Sequence, residues 1–140
     1  MSARSKARKQ ALDILFESDI RGTSAVELLS VRLVEDEGPD ARPMRKYAQE
    51  LVNGVVERQR KIDELISTYA QGWDMDRLPT VDRNVLRIAI YELLWREDIP
   101  DAVVIDEALT LAKLLSTDES APYIHGLLGR ISSIKSDLAL

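Results

Sequence analysis

One segment near the middle of the chain limits the possible folds more than any other. When residues 80–96 are placed on a helix at about 100° per residue, apolar side chains point in nearly every direction. These side chains are Val81, Val85, Leu86, Ile88, Ala89, Ile90, Leu93 and Leu94. A helix that is apolar all round has to be covered all round, so we place this helix at the centre of a helical fold.

Helical periodicity recurs along the chain, and glycine and proline residues separate the segments. The first predicted helix covers residues 4–20, the second begins at Thr23-Ser24, and the third is long, beginning at Pro43 and ending at Gly72. Three more are predicted at residues 80–96, at about 101–115, and from 118–122 onward. Gly22 is expected to close the first helix in the left-handed conformation. Gly126 and Gly129 are expected to let a neighbouring helix approach the last one closely.

These helices predict an all-α fold of six to seven helices that form two linked antiparallel helical bundles. No segment shows the alternation of a strand bounded by hairpin turns. The length of 140 residues suits one domain. Within it we expect a division near Trp73, with an N-terminal subdomain of about 1–72 and a C-terminal subdomain of about 73–140.

The residue inventory argues against catalysis. The chain has no cysteine and one histidine, His125, so it offers no thiol nucleophile and no histidine pair for a metal ion or a proton relay. It also lacks the glycine-rich motifs that hold phosphates. The acidic pairs Asp106-Glu107 and Asp118-Glu119 diverge by about 100° on a helix and do not converge on one ligand. We expect a binding protein without enzyme activity, cofactor or metal and, because no apolar run is long enough to span a bilayer, a cytoplasmic one.

The charge distribution is uneven. Arg4, Lys6, Arg8 and Lys9 place four positive charges in the first nine residues without an acidic residue among them, although the net charge of the chain is −5. An acidic body with a basic tip admits a polyanion at one place, which favours RNA or DNA binding there. The alternative is a solvated helix end with an ordinary share of basic residues.

The first predicted helix also has a wide apolar arc. Its apolar residues are Ala7, Ala11, Leu12, Ile14, Leu15, Phe16 and Ile20, and they span about 240° of the helix. A helix that faces a single core needs a narrower apolar arc. Either Phe16 and Ile20 are exposed and bind a protein partner, or this helix is wedged between two others.

Several segments, taken in order, resemble the NusB family of bacterial transcription antitermination factors. Residues 81–94, of sequence VDRNVLRIAIYELL, are similar to the central helix of that family. The other matching elements are Ile99-Pro100, the VIDEA sequence at 104–108, LAK at 111–113, Ala7-Arg8 with Ala11 and Phe16, the spacing of Tyr47 and Gly54, and Ile62-Asp63 ahead of Trp73. The resemblance covers essentially the whole chain.

The resemblance implies an all-helical fold of two linked bundles and two kinds of ligand. Proteins of this family bind single-stranded boxA RNA of ribosomal RNA transcripts. They pair with NusE, a ribosomal protein, in an antitermination complex on RNA polymerase. The RNA-binding residues of the family correspond to Arg4, Lys6, Arg8 and Lys9 in the first helix and to Glu119, Ser120 and Tyr123 at the start of the last helix. The residues that face NusE correspond to Phe16, Ile20 and Asp82.

At the start of the last helix, backbone N–H groups could accept a phosphate. Tyr123 stands where the family has phenylalanine; it either stacks on an unpaired base or closes the edge of the core. His125 replaces an asparagine, and we expect it to be a partly buried hydrogen-bonding residue that orients the helix start, the alternative being a pH-sensitive donor to the ligand.

Two other functions are compatible with the same fold. One is a stand-alone RNA-binding helical domain that assists a ribosomal RNA methyltransferase in trans. The other is a homodimeric structural protein whose apolar surface covers itself. The basic tip is sparser than in the most arginine-rich members, and the sequence leaves open whether RNA binding requires NusE.

Overall fold

The computed structural model describes residues 2–35, 43–70 and 77–140. In these residues the secondary structure is entirely helical, which confirms the predicted all-α class. The helices are α1 (Ala3–Arg21), α2 (Ala25–Glu35), α3 (Lys46–Tyr69), α4 (Thr80–Trp95), α5 (Asp101–Leu115) and α6 (Ser120–Ile134), followed by a short 3₁₀ helix at Lys135–Asp137. None of these helices is both long enough and apolar enough to cross a lipid bilayer.

The chain forms two compact units, Met1–Glu57 and Arg58–Leu140, and α3 runs through the division between them. The subdomain boundary predicted near Trp73 lies outside the described residues and stays a prediction. The long helix ends at Tyr69, before its predicted end at Gly72, and Ala70 is no longer helical.

Short polar contacts set the helix ends of the first unit. Ser2 caps α1, because its side chain accepts a hydrogen bond from the Ser5 backbone N–H at 3.1 Å. Gly22 closes the same helix with φ +67°, as predicted. At the start of α2, predicted to begin at Thr23-Ser24, the Ser24 hydroxyl accepts a hydrogen bond from the Glu27 N–H at 3.3 Å.

The long helix begins at Lys46, so the prediction that Pro43 is its first residue is wrong. A contact with α1 explains the difference. The Arg45 N–H donates to the side-chain oxygen of Gln10 at 3.0 Å, while Gln49 donates from its side chain to the Met44 carbonyl at 3.2 Å. These bonds hold residues 44 and 45 outside the helix, and pattern reading along one segment does not detect such tertiary partners.

In the second unit, α4 is covered on all sides, as predicted. Its apolar side chains from Val85 to Leu94 are buried, and the helix packs against both α5 and α6. Each large side chain removed from water stabilises the fold by roughly 1.5–3 kcal/mol. The central position of this helix in its unit therefore follows from its composition.

A buried cation fixes α4 against α3. Arg87 donates from Nε and Nη2 to the two carboxylate oxygens of Asp63, at 2.8 and 2.9 Å, and from Nη1 to the Asn84 side chain at 3.0 Å. A planar guanidinium and a carboxylate in this two-pronged arrangement define both distance and orientation. The sequence analysis did not identify this pair, because the two residues lie on different helices.

The glycines of α6 do not receive a neighbouring helix, so that prediction is wrong. Among the described residues, no atom outside the backbone of α6 and the adjacent residues lies within 4 Å of a Cβ atom placed on Gly126 or Gly129. The helix packs through its other face, where Ile124, Leu128 and Ile131 are fully buried. Both glycines therefore leave open surface on α6.

An ion pair and a hydrogen bond join the start of α5 to the end of α6 and to the 3₁₀ helix that follows it. Lys135 Nζ lies 2.6 Å from Asp101 Oδ1, and the Ser132 hydroxyl donates to Oδ2 at 2.5 Å. Partial burial alone would raise the pKa of Asp101, but the hydrogen bonds from Lys135 and Ser132 and the lysine charge outweigh it and lower the pKa.

We expect Asp101→Asn to lower the free energy of unfolding at pH 7 by about 0.5–1 kcal/mol, since water screens this partly exposed pair. A carboxyl whose pKa is lower in the folded state stabilises the protein above its ordinary pKa and loses that effect as the pH falls through the folded-state value. The difference between variant and wild type in urea unfolding should therefore vanish in acid. Asp106→Asn, at an exposed position of the same helix, is the control, and a difference that persists in acid would contradict this account.

Candidate functional site

The start of α6 is held against the first turn of α4. Asp82 is 3% exposed, and its Oδ2 accepts a hydrogen bond from the Ser120 hydroxyl at 2.6 Å. The Ser120 Oγ also lies 3.0 Å from the hydroxyl oxygens of Ser116 and Thr117. Among the described residues, no donor reaches the other carboxylate oxygen, Oδ1. A buried acid therefore faces the positive end of α6, where its charge is favourable.

A small recess opens at this point, with a volume of about 50 Å³. It is lined by Leu78, Pro79, Asp82, Thr117, Glu119, Ser120 and Tyr123. Two of these side chains are acidic and none is basic. The recess is large enough for water molecules, and its charge favours a neutral group or a cation over the phosphate that helix N-termini often bind.

Tyr123 forms part of the wall of this recess and is half-buried. Burial raises the pKa of its phenol, and the nearby charge of Asp82 raises it further. The ring is thus a neutral aromatic surface at physiological pH. Its half-buried position provides a face for stacking and also closes the edge of the core, so both interpretations of this residue stay open.

The basic residues of α1 differ in their surroundings. The guanidinium of Arg4 lies 4.8 Å from the ring centroid of Tyr47, and that of Arg8 lies 5.9 Å from it, an arrangement typical of cation–π contacts. Arg8 is only 3% exposed, whereas Arg4 and Lys6 are exposed. Lys9 forms an ion pair with Asp13 at 2.6 Å. Arg4 and Lys6 are therefore the most accessible of the four predicted RNA contacts.

The wide apolar arc of α1 is only partly covered. Leu12 is buried, but Phe16 is 37% exposed and Ile20 is 62% exposed. Of the two alternatives from the sequence, the structure favours exposure of these two side chains. The third predicted partner contact, Asp82, is buried as described above.

The expectation that His125 is partly buried is wrong, since its side chain is exposed. The buried stripe of α6 runs through Ile124, Leu127, Leu128 and Ile131, and position 125 lies off that stripe. The helical period of α6 places position 125 on the exposed side, whereas its correspondence to an asparagine position favoured partial burial. Across the described ranges, no group of three His, Cys, Asp or Glu side chains is placed to hold a metal ion.

Comparison with known proteins adds independent information. The model of the NusB family matches residues 5–133. The transcription antitermination protein NusB of a Nocardioides species is 54% identical over 139 residues, which cover 99% of this chain and 100% of that protein.

Solved structures agree with these matches. NusB of T. maritima superimposes with a TM-score of 0.81 at 36% identity, with 98% of this chain and 99% of that chain covered. The NusB chain in a complex of NusB and NusE with double-stranded RNA gives a TM-score of 0.78 at 27% identity, with 93% and 96% covered.

The contact between Asp82 and Tyr123 is testable by titration. Asp82→Asn removes a negative charge from beside the phenol while the ring stays buried, so we expect the pKa of Tyr123 to fall toward its ordinary value without reaching it. Carbon-13 NMR of tyrosine labelled at Cζ measures this pKa. Asp118→Asn changes an exposed carboxylate outside the recess and should leave it unchanged. An unaltered Tyr123 pKa in the Asp82 variant would show that the two groups do not interact.

Proposed function

This chain belongs to the NusB family of transcription antitermination factors, and we propose that it binds boxA-like single-stranded RNA of ribosomal RNA transcripts together with NusE. In this proposal it acts in the cytoplasm and promotes antitermination by RNA polymerase. The observation that carries the proposal is the full-length match to NusB proteins, one of which has been solved with NusE and RNA.

The RNA contacts divide into two kinds. Arg4 and Lys6, exposed in the first turns of α1, neutralise phosphates, which gives affinity without sequence preference. The buried Arg8 supports Arg4 through the Tyr47 ring that both guanidinium groups approach, and Lys9 adds positive charge beside Asp13.

The second kind of contact is made by the start of α6. Because Asp82 and Glu119 make that recess acidic, it contacts bases and sugars rather than phosphates. Tyr123 stacks on an unpaired base, and the Ser120 and Glu119 region supplies polar contacts.

NusE binds the exposed apolar flank of α1 at Phe16 and Ile20 and also contacts Asp82. The hydrogen bond between Asp82 and Ser120 then links a partner contact directly to an RNA contact, 2.6 Å away. Such a link makes each ligand strengthen the binding of the other.

Fluorescence anisotropy with a boxA RNA, with and without NusE, tests the proposal. We expect NusE to tighten RNA binding by about five- to 150-fold, the usual range of coupling between two sites. Absence of any gain would contradict the adaptor function. Sedimentation of the protein alone would detect the homodimer, the alternative in which the apolar flank packs against a second copy. Co-purification with a ribosomal RNA methyltransferase in place of NusE would identify the alternative in which the chain assists such an enzyme.

Phe16→Asp should weaken NusE binding by at least about tenfold, because residues that anchor an interface contribute about 2 kcal/mol or more, while the unfolding temperature stays near that of wild type. Calorimetric titration with NusE measures the affinity. Val103→Asp places the same charge at an exposed apolar position of α5 and should bind NusE normally. If the Phe16 variant unfolds, Phe16 belongs to the core and not to the interface.

Arg4→Gln should lower the slope of log affinity against log salt by about one, since one phosphate contact is lost. The slope is obtained from the RNA affinity measured at several salt concentrations between about 50 and 200 mM. Arg21→Gln, at the other end of α1, removes an equal charge that pairs with Glu17 and should leave the slope unchanged. Equal slopes for wild type and the Arg4 variant would exclude Arg4 from the RNA interface.

A further inference from the structure

We propose that a groove between the end of α3 and the first turns of α6 is an additional nucleotide subsite, which extends the RNA path beyond Tyr123. This inference rests on the proposed function and extends it from Tyr123 to Tyr69 and Arg130, to which no binding role has been given so far. The lining residues are Thr68, Tyr69, Pro122, Tyr123, Gly126, Leu127 and Arg130. We call it the α3–α6 groove.

The size of the α3–α6 groove suits part of a nucleotide chain. Its volume is about 510 Å³, which lies within the range of about 300–1,000 Å³ typical of small-molecule sites. The recess beside Asp82 is about ten times smaller, at about 50 Å³. Of the two cavities that Tyr123 lines, only the groove can admit a base.

The chemistry of the groove matches a single-stranded nucleic acid. Two aromatic rings, Tyr69 and Tyr123, line it, and both are half-buried with part of each side chain accessible. Bases stack on such rings whatever their identity. Both rings therefore offer stacking surface to successive nucleotides.

Arg130 provides the charge. Its guanidinium lies 5.9 Å from the ring centroid of Tyr69, and its side chain is exposed. It is the one charged residue in the lining, and it is positive in a chain whose net charge is −5. A guanidinium that rests on an aromatic ring at the mouth of a groove is placed to pair with a phosphate while a base occupies the interior. The same charge complementarity makes an RNA segment a better occupant than an apolar peptide.

Gly126 keeps the groove open. It lies three residues after Tyr123, nearly one helical turn further along α6, and a Cβ atom there would meet no side chain of the described part of the chain within 4 Å. The absence of a side chain at this point leaves the passage from Tyr123 toward Arg130 unobstructed. We therefore infer that one nucleotide next to the base on Tyr123 lies over Gly126, with its phosphate at Arg130.

A pair of glycine variants tests the groove with a matched control. Gly126→Leu fills the groove, whereas Gly129→Leu adds the same side chain to the same helix at a position that does not line it. Both Cβ positions are open, and replacing a helical glycine favours the helix, so neither variant should unfold more readily. Thermal unfolding checks this before binding is measured.

Affinity is measured by anisotropy with NusE present, for boxA RNA and for the same RNA shortened by one nucleotide at either end. We expect Gly126→Leu to weaken binding of the full RNA by about tenfold and to have little effect on one of the two shortened RNAs, which already lacks the nucleotide concerned. Gly129→Leu should bind all three RNAs as wild type does. Full binding by the Gly126 variant would overturn the subsite.

A pair of arginine variants gives a second, independent test through the salt dependence of RNA binding. Arg130→Gln should lower the salt slope of RNA binding by about one, and Arg60→Gln, an exposed arginine on α3 outside the groove, should not. If both groove variants keep RNA binding but lose NusE binding, the groove belongs to the protein partner and the proposal is wrong. Failure of the wild-type protein to bind boxA RNA would instead overturn the proposed function itself.

Discussion

The hydrogen bond that Ser120 donates to Asp82 connects the two elements on which the candidate site is built. Asp82 lies in the first turn of α4, the helix that is buried on every side, and Ser120 is the first residue of α6. Because α4 is fixed in turn by the pairing of Arg87 with Asp63, the first turn of α6 has a defined position relative to the core of its unit. The placement of Tyr123, of the recess and of the α3–α6 groove follows from that contact.

A buried carboxylate at this position also determines which ligands suit the site. The N-terminus of a helix attracts anions, but here Asp82 already satisfies that preference and Glu119 adds a second negative charge nearby. Phosphate binding is therefore expected at the cationic residues of α1 and at Arg130, and base contacts at the aromatic rings of α6 and α3. An acidic protein can hold an RNA strand in this way when basic residues lie along the path of the strand.

Features that depend on one helix at a time could be predicted from the sequence. The all-round apolar surface of α4 predicted its buried position, and Gly22 predicted a left-handed helix end. The wide arc of α1 left two alternatives, and the exposure of Phe16 and Ile20 decided between them. Periodicity gives the direction of a side chain around its own helix, and this is sufficient for such features.

Features that depend on a second helix could not be predicted. The bond from Arg45 to Gln10 moved the start of α3 away from Pro43, and the open surface at Gly126 reflects the face through which α6 packs. The burial of Arg8 beside Tyr47 and the pairing of Asp63 with Arg87 likewise require knowledge of which elements are neighbours. Resemblance to a family assigned roles to positions, but the surroundings of each side chain had to come from the structure.

The most direct measurement is a map of backbone amide shifts by NMR as boxA RNA is added to the isotope-labelled protein with NusE bound. If RNA lies where the account places it, the amides of the first turns of α1 and those from Ser120 through Tyr123 shift together at one RNA concentration. The exposed first turn of α5, around Val103, should not respond. Shifts confined to other surfaces, with the start of α6 unaffected, would contradict the account.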